Sequence, residues 1–132
     1  MKYLLDTCAV SDFFKGNPNT ITHAKQCKPS DIAISSISVM EIEFGLANNP
    51  QYESRHGAII RQFISEVNVI IFDHDMAIIA GKIRSQLKDN GTPIGAYDLL
   101  IGATAISKGC ILITNNMREF QRIANIRLEN WS

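Results

Sequence analysis

The spacing of apolar and polar positions changes along the chain, and the changes divide it into elements. Tyr3-Leu4-Leu5 is an uninterrupted apolar run, entered from Lys2, that ends abruptly at Asp6-Thr7. A run this short, bounded by a polar switch, predicts a buried strand of a parallel sheet. Cys8 to Lys15 has helical spacing, with Phe13 and Phe14 as an aromatic step, and Gly16-Asn17-Pro18 interrupts it. Pro18 suits the first turn of a second helix reaching about Cys27. Lys28-Pro29-Ser30-Asp31 is a turn cluster, and Ile32-Ala33-Ile34-Ser35 reads as the second strand.

Ser38-Val39-Met40-Glu41 opens a helix that Asn48-Asn49-Pro50 stops. From Ser54 to about Val67, Ile59, Ile60, Phe63, Ile64 and Val67 keep helical spacing, and Val69 to Phe72 follows as a third strand. Asp73 or Asp75 caps a helix whose Met76, Ile79, Ala80, Ile83 and Leu87 form one stripe, ended by Gly91-Thr92-Pro93. Asp98 sits in the first turn of a segment that is apolar nearly all round, which predicts a central, buried helix stopped by Gly109 in the left-handed conformation. Ile111 to Thr114 is a fourth strand leading into Asn115-Asn116. Arg118 to Arg122 reads as a short helix, and Ile126 to Leu128 as a weak edge strand before Trp131. The alternation implies one layered α/β domain over residues 1–132 with a parallel sheet, without repeats or linkers.

Composition narrows the classes. With 132 residues, 45% hydrophobic and 20% charged, the chain is long enough to bury a core. Thirteen basic residues balance thirteen acidic ones, which argues against indiscriminate nucleic-acid binding, a property that scales with phosphates neutralised. Cys8, Cys27 and Cys110 show no disulfide or metal-ligand spacing, so buried free thiols in a reducing cytoplasm are expected. The first apolar stretch is too short for a secretory signal, and no stretch approaches the ~20 apolar residues of a membrane span.

Three acids stand where an acid is costly unless used. Asp6 ends a buried strand, at the crevice where ligands of open α/β sheets bind. Glu41 and Asp98 are expected on the first turns of helices that follow loops. Each has a structural alternative. Asp6 can cap the next helix, Ser38 to Glu41 fits a capping box, and Asp98 complements a helix dipole. Topology can bring all three to one end of the sheet, where their repulsion is relieved by a divalent cation. Oxygen ligands without His or Cys partners favour Mg²⁺ or Mn²⁺ over Zn²⁺, and such an ion polarises a phosphoryl oxygen and supplies hydroxide near neutral pH. His23, His56 and His74 show no ligand pattern. Thr114, at the end of the fourth strand, is a candidate either to bond a metal-bound water or to orient Asp6, and Glu119 is either a fourth acid or a surface ion-pair partner of Arg122. Arg118 and Arg122 are candidate contacts to substrate phosphates.

The residues Leu5-Asp6-Thr7, Glu41 within Ser-Ser-Ile-Ser-Val-Met-Glu, Gly91-Thr92-Pro93-Ile94-Gly95 ahead of Tyr97-Asp98, Thr114-Asn115-Asn116-Met117-Arg118-Glu119-Phe120 and Glu129-Asn130-Trp131 together resemble the PIN-domain family. More narrowly, they resemble the VapC-type toxins of bacterial toxin–antitoxin pairs. The resemblance spans essentially the whole chain. It implies a three-layer α/β/α domain with a twisted, mostly parallel five-stranded sheet, an Mg²⁺- or Mn²⁺-dependent endoribonuclease, and a homodimer. It further implies a VapB-type antitoxin that lies across the toxin groove and carries operator DNA binding for the pair. By position, Asp6, Glu41 and Asp98 are then the metal-binding acids and Thr114 a supporting residue. Many relatives place another aspartate near Asn115 or Asn116. The amides here put a second metal in question and make Glu119 the candidate fourth acid. The Thr-Asn-Asn-x-Arg-Glu-Phe version resembles toxins that cut transfer RNA, the initiator species in particular.

The expected chemistry is attack of water on a phosphodiester of exposed single-stranded RNA, leaving a 5′-phosphate and a 3′-hydroxyl, with selectivity set by RNA shape. Two other classes use similar residues. A receiver-like phosphoacceptor module of flavodoxin-like type would use Asp6, Asp73 and Thr114, although a lysine on the last strand and a second acid beside Asp6 are missing. A degenerate PIN domain would only bind RNA or protein. His74-Asp75 resembles a metal-phosphohydrolase dipeptide, but the pair sits where a helix cap is expected.

Overall fold

The computed structural model describes residues 1–132. Its strands are β1 (Tyr3–Leu5), β2 (Ile32–Ser35), β3 (Asn68–Ile70), β4 (Ile111–Ile113) and β5 (Leu128–Glu129). They form one sheet in the order β3-β2-β1-β4-β5 with every pairing parallel. The helices are α1 (Thr7–Phe14), α2 (Pro18–Lys25), α3 (Ser36–Asn48), α4 (Pro50–Glu66), α5 (His74–Asp89), α6 (Ala96–Lys108) and α7 (Met117–Phe120).

Both sheet faces are covered, which is why the central strands carry apolar residues at consecutive positions instead of alternating ones. Leu4, Ala33 and Leu112 pack with Met76, Ala80, Ile83 and Leu87 of α5 and Ile101, Ala103 and Ala105 of α6. Leu5, Ile34 and Ile113 face the other way, with Ala9 and Val10 of α1, Ala24 of α2, and Val39 and Phe63 from α3 and α4. The expected three-layer α/β/α arrangement is therefore present. Small residues bring α6 close: a Cβ on Gly102 would meet Ile123 Cδ1 at 2.6 Å. Gly109, at φ 64°, closes α6 in the left-handed conformation, as its position after the apolar run predicts.

Register places the chemistry. Leu5 pairs with Ile34 on one side and Ile113 on the other, so the next residues, Asp6, Ser35 and Thr114, share the carboxyl-terminal edge. The chain leaves β1 toward β2 and β3 and returns to the opposite side at β4, which makes the β1/β4 boundary the topological switch point. The same order excludes the receiver-like alternative, whose flavodoxin-like sheet runs 2-1-3-4-5. Asp73 is occupied otherwise, its Oδ1 accepting from the Met76 N–H to cap α5.

Four expectations are corrected. The helix carrying Glu41 starts at Ser36, capped by Ser35, whose Oγ accepts from the Ile37 N–H. The Ser38–Glu41 capping box is therefore absent, and Glu41 lies in the second turn. The helix expected from Ser54 begins at Pro50, because Asn49 Oδ1 accepts from the Tyr52 N–H and Pro50 occupies the first helical position. The third strand lies one residue earlier than Val69 and ends at Ile70, where β2 stops offering partners. The last strand falls at Leu128–Glu129, its bounds set by pairing with Leu112 and Ile113. No helix is long and apolar enough to cross a membrane.

Candidate active site

Asp6 is the centre of the site and is 2% exposed. It caps α1, with Oδ1 accepting from the Ala9 N–H at 2.7 Å, so its structural and chemical readings hold together. Burial pushes its carboxyl up to about 6; the Thr114 hydroxyl and the Ala9 N–H pull it down, while Asp98 and Asp12 push it further up. Thr114, 1% exposed, also accepts from the Asn116 N–H at 2.9 Å through Oγ1, which fixes the turn after β4.

Asp98 reaches the crevice from the first turn of α6. It is half-buried, and its carboxyl is likewise pushed up to about 6, by burial first and then by Glu119 and Glu41. Glu41 comes from α3, held by a hydroxyl pair. Thr7 Oγ1 stands 2.7 Å from Glu41 Oε1 and 3.0 Å from Ser38 Oγ. Each hydroxyl has one proton, so Thr7 donates to the carboxylate and Ser38 donates to Thr7.

The Cys8 thiol reports the convergence. It is pushed up to about 11 by burial of its sulfur and then by Asp6, Asp98, Asp12 and Glu41, although Cys8 as a residue is exposed, and of the three thiols expected to be buried only Cys110 is. The structure thus brings Asp6, Glu41 and Asp98 to one crevice, with Glu119 next to Asp98. The amides Asn115 and Asn116 each serve an acid. Asn115 Nδ2 donates to Asp12 Oδ2 at 2.9 Å, and Asn116 Nδ2 donates to Glu119 Oε2 at 2.6 Å. Arg118 is exposed on α7. Arg122 makes no ion pair with Glu119; its Nη1 donates to Pro93 O at 2.9 Å. A cleft of about 610 Å³ between α5 and α6 is lined by Leu87, Pro93, Leu99 and Leu100. Helical spacing sends Asp98 to the other side of α6, so this cleft takes no part in the site.

The donor set suits a hard divalent cation. No three acidic, histidine or cysteine side chains close on a single point as they stand. Mg²⁺ does not require such a cage, since it is held by one or two carboxylates with water and substrate phosphate completing the shell. The pushed-up carboxyls of Asp6 and Asp98 are the physical sign of fit: burial raises both first, neighbouring acids add to it, and a cation beside them would favour the charged forms that burial and those acids disfavour.

A model of the PIN domain matches residues 3–126. The chain belongs to the PIN-domain family. This PIN domain is 39% identical over 131 residues to the tRNA(fMet)-specific endonuclease VapC of Salmonella typhimurium, covering 99% of this chain and 98% of that one. It is 35% identical to the tRNA(fMet)-specific endonuclease VapC of Shigella flexneri, over 100% of this chain and 99% of the other. The crystal structure of DNA-bound VapBC from Salmonella typhimurium aligns with a TM-score of 0.91 at 39% identity, covering 100% of this chain and 99% of the matched one. At these identities over the full length, this PIN domain falls in the VapC group.

Three side chains of the PIN domain's crevice have contacts that escape a reading of the sequence. Asp12 shares no local pattern with Asn115, from which 103 positions separate it. Ser38 is visible only as a misplaced cap. Thr7 stands in the Leu-Asp-Thr opening, but its bond to Glu41 crosses 34 positions and has no signature in spacing.

Proposed function

We propose that this chain is the toxin of a VapBC-type toxin–antitoxin module, a divalent-cation-dependent endoribonuclease that cuts exposed single-stranded RNA, with initiator tRNA as substrate. The observation that carries the reading is that Asp98 lies within electrostatic reach of Asp6 on one side and of Glu41 and Glu119 on the other, beside the β1/β4 switch point, with the carboxyls of Asp6 and Asp98 pushed up to about 6. The tRNA assignment is supported by the names of the relatives from Salmonella typhimurium and Shigella flexneri and by the Thr114–Phe120 segment.

Asp6 and Asp98 would hold Mg²⁺ or Mn²⁺, with Glu41 as a further ligand or as the base and Glu119 as the fourth acid. When bound, the ion supplies Lewis acidity toward a phosphoryl oxygen and lowers the pKa of water. The protein's own part is orientation. Thr114 and the Ala9 N–H fix Asp6, and Thr7 with Ser38 aims Glu41. Asn116 holds Glu119, and exposed Arg118 is available to a phosphate. A VapB-type antitoxin partner, with DNA reached only through it, follows from the likeness to a DNA-bound VapBC assembly. A homodimer and action in the cytoplasm complete the proposal.

The test is incubation of the purified chain with total RNA and Mg²⁺, followed by mapping of new 5′ ends, beside an Asp6→Asn variant. The expected result is metal-dependent cleavage concentrated in initiator tRNA with 5′-phosphate products, lost in the variant. Equal Mg²⁺-dependent cleavage by both proteins would reject the site. Cleavage confined to another RNA would reject the substrate alone.

A further inference from the structure

The backbone between α5 and α6 has an unusual support. Thr92 N–H closes α5 on Leu87 O, and Gly95 O accepts the first bond of α6 from the Leu99 N–H. Between those two points the backbone of Pro93 to Gly95 makes two hydrogen bonds, both to side chains of the α7 region. Arg122 Nη1 donates to Pro93 O at 2.9 Å, and Glu119 Oε1 accepts from the Gly95 N–H at 3.4 Å. Gly95 is the N-cap residue of α6 and offers no capping side chain, so nothing local fixes where that helix begins. Three residues further on stands Asp98, its carboxylate 3.5 Å from the place a Gly95 Cβ would occupy.

From this we infer that Arg122 is a positioning residue for Asp98: by gripping Pro93 O, it sets the start of α6 and so the place of the carboxylate in the crevice. Arg122 is half-buried, and the Glu119 contact is the longer of the two, so the arginine is the main fastener. Phe120 and Ile123, both buried against α6, give it a fixed base. Its neighbour Arg118 has no such task and is exposed. The inference rests on the proposed nuclease reading for its kinetic consequence, but the mechanical part stands apart from it.

Arg122→Ala and Arg122→Lys are compared with the unmodified chain and with Arg118→Ala, after circular dichroism has shown each to be folded. Hydrogen exchange of the Gly95 and Leu99 amides, the two with acceptors at the start of α6, is measured on the metal-free proteins, Mn²⁺ affinity by calorimetry, and cleavage of initiator tRNA as kcat and KM. Arg122→Ala is expected to speed exchange of these amides about tenfold, the scale of one lost hydrogen bond. Mn²⁺ affinity should weaken several-fold and kcat fall about tenfold, with KM within about twofold. Arg122→Lys, which keeps one donor, should recover part of each, and Arg118→Ala should leave exchange and Mn²⁺ affinity unchanged. Unaltered exchange and Mn²⁺ affinity in Arg122→Ala would overturn the inference. So would a raised KM with a salt dependence reduced by about one phosphate, which marks a direct RNA contact. If the unmodified chain cuts no RNA, the nuclease reading fails, while exchange and Mn²⁺ binding still decide the role of Arg122.

Discussion

Thr7 Oγ1 lies 2.7 Å from Glu41 Oε1, a bond that joins the residue after the β1 acid to the acid of α3. It ties α1 to α3 at the crevice through one hydroxyl. Thr7→Val keeps the shape and removes the donor, leaving Ser38 and Glu41 without their shared partner. The variant should lose about 1 kcal/mol in urea unfolding and cleave RNA about tenfold more slowly, with Thr7→Ser recovering both. Full activity in Thr7→Val would show that Glu41 needs no orientation.

The raised carboxyl of Asp6 makes a statement about stability. In the native state it titrates at about 6 against an ordinary 3.8, so between those values the folded protein binds more protons than the unfolded chain. Stability from this group is complete below about pH 4 and is lost as pH rises through 6, by up to about 3 kcal/mol at pH 7. Asp6→Asn retains an acceptor for the Ala9 N–H and removes the charge. In metal-free buffer at pH 7 it should be more stable than the unmodified chain by about 1–3 kcal/mol, with a flatter pH dependence from 4 to 7. A loss of stability at pH 7 would show that the carboxylate is better satisfied than its burial implies.

What was legible in the sequence follows from where each signal originates. The central strands were readable because burial on both faces forces consecutive apolar residues, and Ile32 to Ser35 has the bounds its pattern predicts. The edge strands were not, because one neighbour sets their ends: β3 exposes Val69 and begins at a polar Asn68. Ser35, Ser36 and Ser38 are all capable of capping α3, and tertiary contacts decide among them: Ser36 Oγ accepts from the Phe72 N–H and Ser38 bonds Thr7, which leaves Ser35 as the cap. The three principal acids were visible because each breaks a local rule. Asp12 was not, since an acid on a half-buried helix face breaks none.

The amide at 116 also has a direct test. Asn116 Nδ2 donates to Glu119 Oε2 at 2.6 Å, so Asn116→Asp would set two carboxylates against each other in place of a bond. Like charges at that range raise each other's pKa and strain the turn that carries α7. The variant should lose about 1–3 kcal/mol at pH 7 and regain much of it near pH 4, where carboxyls begin to protonate. Denaturant unfolding at the two pH values checks this. Equal losses at both would place the effect in packing and not in charge.

Cation binding and protonation should compete at the same groups. Asp6 and Asp98 both titrate at about 6, so a cation that uses them must displace protons below that value. From pH 7 to pH 5 the affinity for Mn²⁺ should fall about tenfold if one of these carboxyls is a ligand and about a hundredfold if both are. Calorimetry at pH 6 in buffers of different ionisation enthalpy counts the protons released, about half of one for each carboxylate engaged. Saturating Mn²⁺ should accordingly raise Tm more at pH 7 than at pH 5, and Asp6→Asn should lose one of the two proton-linked steps. An affinity that stays flat across this range would mean that the ion is held by neither Asp6 nor Asp98, because no buried carboxylate of this pKa can bind a cation near pH 5 without releasing its proton.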